Sequence, residues 1–305
     1  MIADLKKPLD TSIFKDKSVL ITGGASGIGA LTATQCAVHG AHVTVADINK
    51  EQGNAFVESM SQSGLRINFV PTDVSDWESQ VKAFKAAIKY SNSNSIDVVV
   101  AGAGVAGIPF VENKDEAPSL EKDPPLPLRS AANFDVNAKG AYYTSKLAQH
   151  YFALPYLSPS SKDRRFRKCL VVISSLAGYL ELNDVDYTAS KWAVRGLFRS
   201  ARSQMEDLGY RINLIAPWVM DTPMAKGLVD VCRRQGFPVG EPKSVADAVI
   251  RCAADDSICG RALGVGAEET FDLRDDIEGL NAGIVMKQYR EGEAKNFMEF
   301  LGQRA

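Results

Sequence analysis

Between residues 18 and 264 the chain alternates short, almost wholly apolar runs with longer stretches whose apolar positions recur every three or four residues. The runs at 18–22 (SVLIT), 42–47 (HVTVAD), 66–70, 97–101 (DVVVA), 168–174 (KCLVVIS) and 211–216 (RINLIA) are rich in Val and Ile. Such runs are the pattern of buried parallel strands. A last strand is expected to begin at 261–264. Helical spacing predicts helices over 29–39, 50–61, 75–90, 131–154, 187–208 and 245–254. Ser75, with Glu78 three residues on, fits a capping box and sets the expected start of the helix at 75. Strands alternating with helices imply right-handed crossovers. The expected fold is therefore α/β, a doubly wound parallel sheet of about seven strands with helices on both faces.

No composition shift marks a boundary inside 1–267, which reads as a single domain followed by a polar, charged tail at 268–305. Two other stretches break the rhythm. Residues 107–129 hold five of the 13 prolines and read as a loop inserted after the fourth strand. Residues 158–168 carry five basic side chains and read as a solvated loop.

Composition narrows the function classes. With 45% hydrophobic residues, the 305-residue chain has the material for a sizeable core. Lys+Arg at 35 against Asp+Glu at 37 gives a net charge of −2, so no global field draws the protein to nucleic acid or an anionic membrane. The most apolar stretch, 96–111, is interrupted by Asp97, Gly102, Gly104 and Gly107 and is too short to span a bilayer. The charged start at 1–8 predicts no signal peptide, which makes a cytoplasmic protein the expectation. Cys36, Cys169, Cys232, Cys252 and Cys259 are odd in number and form no CxxC pair, so neither a disulfide framework nor a metal site is expected.

Two constellations carry chemistry. Thr22-Gly23-Gly24-Ala25-Ser26-Gly27-Ile28-Gly29 follows the first strand and opens the first helix. Small residues there let a dinucleotide pyrophosphate approach the backbone, and the helix N-terminus stabilises its charge. Asp47, at the end of the second strand, is placed to accept hydrogen bonds from a ribose 2′-OH and to repel a 2′-phosphate. Its nearest basic neighbour is Lys50, which favours NAD over NADP. Further on, Tyr187 and Lys191 share a helical face. A cation beside a phenol stabilises its phenolate, so Tyr187 is expected to have a lowered pKa and to serve as an acid/base. Ser174 and Ser175 lie at the carboxyl end of the fifth strand, where open parallel sheets place their sites.

Taken together and in order, these motifs resemble the classical short-chain dehydrogenase/reductase family over about 17–266. To the glycine motif and the YTASK of 187–191 are added Asp73-Val74, Asn137 within DVN, ISSLAG at 173–178, and Pro217 followed by Thr222. Within the family the chain looks most like fungal NAD-dependent secondary-alcohol dehydrogenases of specialised metabolism, and more distantly like 15-hydroxyprostaglandin dehydrogenase. The resemblance implies a Rossmann fold and a catalytic set of Asn137, Ser175, Tyr187 and Lys191, with Ser174 as the fallback for Ser175. It implies that Asn137 holds a water linking Lys191 to solvent. The cofactor, NAD, is implied to lie along Thr22, Gly23, Ser26, Gly27, Ile28, Gly29, Asp47, Asp73, Val74, Ala103, Gly104, Tyr187, Lys191, Pro217, Val219 and Thr222. Two positions depart from the family pattern. Ala101-Gly102-Ala103-Gly104 stands where Asn-Asn-Ala-Gly is usual, and Trp218 follows Pro217 where glycine is usual. A homodimer or homotetramer is also implied, packed through the helices of Asn137 and Tyr187.

The segment 222–240 corresponds to the family's substrate lid. Its Met224, Leu228, Val229 and Phe237, with Tyr179, Leu180 and Leu182, suggest a bulky hydrophobic alcohol or ketone as the small-molecule partner. The expected activity is NAD-dependent oxidation of a secondary alcohol to a ketone. The alternatives are an NADPH-dependent ketone reductase of the same family and a non-redox cofactor-binding protein, such as a regulator or a cyclisation scaffold.

Overall fold

A computed structural model describes residues 3–106, 120, 132–155, 166–180, 182, 184–275, 285, 286, 288, 289, 291, 292 and 295. The loop expected at 107–129, the basic stretch at 158–168 and the tail therefore lie largely outside the described residues. Eight strands form one sheet: β1 (Ser18–Thr22), β2 (His42–Asp47), β3 (Ile67–Pro71), β4 (Val98–Ala101), β5 (Cys169–Ile173), β6 (Arg211–Pro217), β7 (Ala262–Val265) and β8 (Thr270–Asp272). Their order is β3-β2-β1-β4-β5-β6-β7-β8. All neighbours are parallel except β7 and β8, which run antiparallel. The fold is the Rossmann-like α/β arrangement. The direction of winding reverses between β1 and β4, which opens a crevice at their carboxyl ends.

Alternate residues of the strands feed two apolar layers. Leu20, Val99, Leu170, Val172, Ile212 and Leu214 point to one face. There they pack on α3 (Trp77–Tyr90), α4 (Ala141–Phe152) and α5 (Val185–Asp207) through Phe84, Phe152 and Phe198. Val19, Ile21, Val43, Val45, Val98, Val100 and Ile215 point to the other, against α1 (Gly27–Val38) and α7 (Pro242–Ala254). α2 (Lys50–Gln62) packs beside β3, where Gly53 leaves room for the Phe69 ring. α6 (Lys226–Arg234) lies within the segment read as a lid.

Several element boundaries differ from the sequence expectation, each for a local reason. α3 is capped by Asp76, whose carboxylate accepts from the N–H groups of Glu78 and Ser79. Ser75 instead donates its hydroxyl to Asp73 at 2.7 Å. α5 starts at Val185, two residues before Tyr187, because Asp184 caps it and accepts the Tyr187 N–H. The expected helix at 131–154 is wound in two ways. Asn133–Gly140 is π-helical and α4 follows it. The sheet also runs past residue 267. Thr270–Asp272, within the stretch read as a tail, is the eighth strand, and a three-residue strand is too short to show alternation.

Arg211 fastens the far half of the sheet. It is 0% exposed, and its guanidinium donates to the carbonyls of Arg167, Cys252, Ala253, Asp255 and Ile258. Three of these belong to the last turn and cap of α7, where a helix leaves carbonyls unpaired and a cation is favoured. Asp256 balances the charge at 2.9 Å. Replacing Arg211 by Met strands those carbonyls in a dry environment. The expected loss of folding stability is about 3–5 kcal/mol, read from urea unfolding monitored by circular dichroism.

Candidate active site

Three loops meet in the crevice, and missing side chains allow it. A Cβ on Gly29 would lie 2.1 Å from the Gly23 carbonyl oxygen, so the first turn of α1 can seat on the glycine loop only with glycine there. Gly23 has φ +68 and would bring a Cβ within 2.7 Å of Ala103 Cα. Gly27, with φ +49, faces Thr222 in the loop after β6. Thr22 is buried, and its hydroxyl collects the N–H groups of Gly102 and Ala103, tying the ends of β1 and β4. Thr22 thus supports the crevice from beneath. Ser26 precedes α1 without making a side-chain cap bond, and no acidic side chain lies in the first turn. First-turn N–H groups have no partner within a helix, so they are available to an anion. Ile28 is partly buried against the layer that holds α1.

Asp47 ends β2 beside this loop. One carboxylate oxygen accepts the Ala25 N–H at 3.1 Å and the other the Asn49 N–H at 3.0 Å. These bonds fix the carboxylate while leaving it lone pairs for a diol. The cap of α2 is Asn49, not Asp47. Asp73 is committed to Ser75, whose N–H and hydroxyl both bond one of its oxygens. Val74 is buried under Gly140, where a Cβ would lie 2.8 Å from the valine methyl. The cradle thus fits a dinucleotide by shape, by free helix N–H groups and by a fixed carboxylate at the ribose end.

The residues expected to form the catalytic set stand on α5, on the loop after β5 and in the π-helical stretch. Ser175 caps the turn Leu176–Gly178 through the Ala177 N–H and donates to the Pro217 carbonyl at 3.3 Å. Its hydroxyl lies near enough to the Tyr187 phenol to draw the phenol pKa down. Ser174 points the other way, buried, and donates to the Lys191 carbonyl at 3.1 Å. Lys191 is 5% exposed, with Nζ 5.5 Å from the Tyr187 ring centroid and 3.4 Å from the Ile173 carbonyl oxygen. Burial lowers its pKa to about 8. Tyr187 departs from expectation. Burial raises its pKa, the Ser175 hydroxyl pulls it back down, and Asp184 raises it further. Desolvation is the largest of these effects, and Lys191 is not among the groups that move the phenol.

Asn137 lies in the π-helical stretch. Its carbonyl oxygen accepts the Val105 N–H at 2.8 Å, and its nitrogen donates to the Val105 carbonyl and to Ser190 Oγ. It braces the loop after β4 against α5. A Cβ at Gly104 would lie 3.2 Å from its oxygen and 3.6 Å from Lys191 Nζ. Single-turn π-windings recur at functional sites, and here the winding brings Asn137 under that loop.

The lid side is built on Val219, which is buried with Val229 and Cys232 and packs with Trp218, Phe237 and Val239. Met224 and Leu228 are exposed on the lid at 50% and 44%. Leu180 is buried in the core, and Tyr179 is held by Asp275 at 2.9 Å. Trp218 packs edge-on against Tyr289, a residue the sequence reading missed. Asp275, Arg195 and Arg199 were also missed. Their signal is the spacing of Arg195, Arg199 and Arg202 at four and three residues, which continues the helical stripe of Tyr187 and Lys191.

This crevice-and-helix arrangement is that of an oxidoreductase using a nicotinamide cofactor, and sequence comparison agrees. The short chain dehydrogenase family profile matches residues 17–231, and the chain belongs to that family. A 5'-hydroxyaverantin dehydrogenase of Dothistroma septosporum is 38% identical over 94% of this chain and 97% of its own length. A protein of the same name from Emericella nidulans is 40% identical over 88% of this chain and 90% of its own. The NADP-dependent dehydrogenase M3 of a Phoma species is 33% identical over 93% and 87%.

The buried ammonium yields a stability test. An unfolded Lys191 keeps the ordinary value of 10.5 while the folded one titrates at about 8. Between those values the unfolded state binds more protons, so stability rises with pH across that window and the burial penalty is full below it. Lys191→Met is expected to be more stable than the wild type at pH 7, by on the order of 1–3 kcal/mol. The gain should shrink as the pH passes from 8 to 10.5, measured by urea unfolding of both proteins.

Proposed function

We propose that the protein oxidises a bulky, hydrophobic secondary alcohol to a ketone with NAD, Tyr187 acting as the acid/base. The observation that carries this reading is the Lys191 ammonium, buried 5.5 Å from the centroid of the Tyr187 ring, with Ser175 at the end of the neighbouring strand β5. In this reading Ser175 orients the substrate oxygen and Tyr187 takes the hydroxyl proton. The charge of Lys191 stabilises the phenolate as it forms. The nicotinamide, when bound, supplies the acceptor for hydride from the carbinol carbon. Tyr187 returns its proton to solvent before the next turnover. The kinship with two 5'-hydroxyaverantin dehydrogenases supports a hydroxylated substrate of that kind.

The preference for NAD rests on Asp47, held toward the ribose end by Ala25 and Asn49. The NADP dependence in the name of the Phoma relative favours a second reading, the same chemistry with NADP as cofactor. A homo-oligomer joined through the helices of Asn137 and Tyr187 belongs to the proposal. Phe134, Tyr142, Val185 and Trp192, exposed by 43–48% on those helices, support it.

Two experiments test the reading. Fluorescence titration should give NADH a dissociation constant at least about tenfold below that of NADPH, and Asp47→Ser should narrow that ratio. The reverse order would establish the NADP reading. Tyr187→Phe should bind NADH as the wild type does and lose about 100-fold or more of alcohol oxidation. Retention of near-normal turnover would dismiss Tyr187 as the acid/base.

A further inference from the structure

The helix that carries Tyr187 and Lys191 does not end its work there. On the same stripe Arg195, Arg199 and Arg202 all reach one residue of the C-terminal segment, Asp275. Asp275 is 1% exposed. Its carboxylate accepts from Arg195 Nε at 2.8 Å and Nη2 at 3.1 Å, from Arg199 Nη1, and from the Tyr179 hydroxyl at 2.9 Å. Its carbonyl accepts from Arg202 at 2.6 Å. The guanidinium of Arg195 lies 4.0 Å over the Tyr179 ring and donates to the Gly178 carbonyl. Gly178 closes the turn that Ser175 caps.

The fastening has an aromatic counterpart. Phe271 of β8 packs on Tyr289 at 5.3 Å between centroids, and Tyr289 meets Trp218 edge-on at 5.7 Å. Trp218 follows Pro217, whose carbonyl receives the Ser175 hydroxyl. Tyr179, Leu182, Trp218, Phe271 and Tyr289 belong to one apolar cluster. Two of its contributors, Phe271 and Tyr289, come from the C-terminal segment, so this layer has its place only while that segment is docked. Aromatic faces and edges offer a flat aromatic substrate contacts worth more than area alone.

We infer that Asp275 is a positioning residue: by holding Arg195, Arg199 and Tyr179, it seats the Phe271–Tyr289–Trp218 layer beside Ser175 and Tyr187 and so sets selectivity for a bulky aromatic secondary alcohol over a small one. This rests on the alcohol-dehydrogenase reading above. Asp275 touches neither substrate nor cofactor and acts through the wall it fixes.

The test compares wild type with Asp275→Asn on a naphthyl-substituted secondary alcohol and on isopropanol, using whichever of NAD⁺ and NADP⁺ supports turnover. Expected is a fall of at least about tenfold in kcat/KM for the naphthyl alcohol, carried by KM, against less than about threefold for isopropanol. NADH binding should hold, and acetonaphthone, titrated by tryptophan quenching, should bind at least about tenfold more weakly. Tyr179→Phe removes one bond and no charge, and should shift selectivity in the same direction by a smaller factor. That variant decides the matter where Asp275→Asn yields no folded protein. Equal losses on both alcohols, or unchanged selectivity, would overturn the inference. Turnover of neither alcohol by the wild type would overturn the activity reading instead, and the acetonaphthone titration would still decide the role of Asp275.

Discussion

Backbone against backbone, with nothing between, is the contact on which the crevice depends. The first turn of α1 rests on Gly23 because Gly29 has no Cβ, and Gly23 rests on the loop after β4 for the same reason. Thr22 closes the third side by taking two N–H groups from that loop. The result is a set of loops whose spacing is fixed by atomic radii rather than by adjustable side chains. Asp47 and Asn137 brace this frame from opposite sides, one through Ala25 and the other through Val105. The crevice is therefore in place before anything binds in it, and little ordering is left to oppose binding.

Three buried charges show how differently one fold can treat a burial penalty. Arg211 is satisfied by five carbonyls and a carboxylate, and it serves architecture. Asp275 is surrounded by cationic and hydroxyl donors that hold its pKa below the usual carboxylate range despite burial. Among the described residues Lys191 has only a carbonyl at 3.4 Å and a ring nearby, and its pKa drops. Many partners mark the structural charge, while few partners leave Lys191 able to interact with a group that becomes negative. That asymmetry separates Lys191 from the other two more clearly than its motif does.

Most of the sheet could be read from sequence because strands buried on both faces are continuous apolar runs. β1, β4 and β6 stand almost where the Val and Ile clusters lie. The glycine loop was legible for the same reason that it works, since few other residues fit. What sequence hid were features set by which of several available partners a group takes. The capping role of Asp76 over Ser75 depends on Asp73 occupying the serine. The π-winding at Asn133–Gly140 is not encoded by any apolar period. The phenol of Tyr187 was misjudged because helical spacing gives a shared face but not the depth of burial. Asp275 escaped because its partners lie far away in the chain, on α5, and β8 because three residues are too few to show alternation.

The short antiparallel β8 has a consequence at the margins of the molecule. A parallel sheet that ended on β7 would offer a flat, apolar row of unpaired amides to any neighbouring chain. β8 covers three residues of that row, Leu263 to Val265, and presents only a three-residue margin of its own. At the opposite margin β3 ends in Pro71, which has no amide to donate. Both borders of an otherwise template-like sheet are thus poor at recruiting another strand, which protects a sheet this rich in valine and isoleucine from edge-to-edge aggregation.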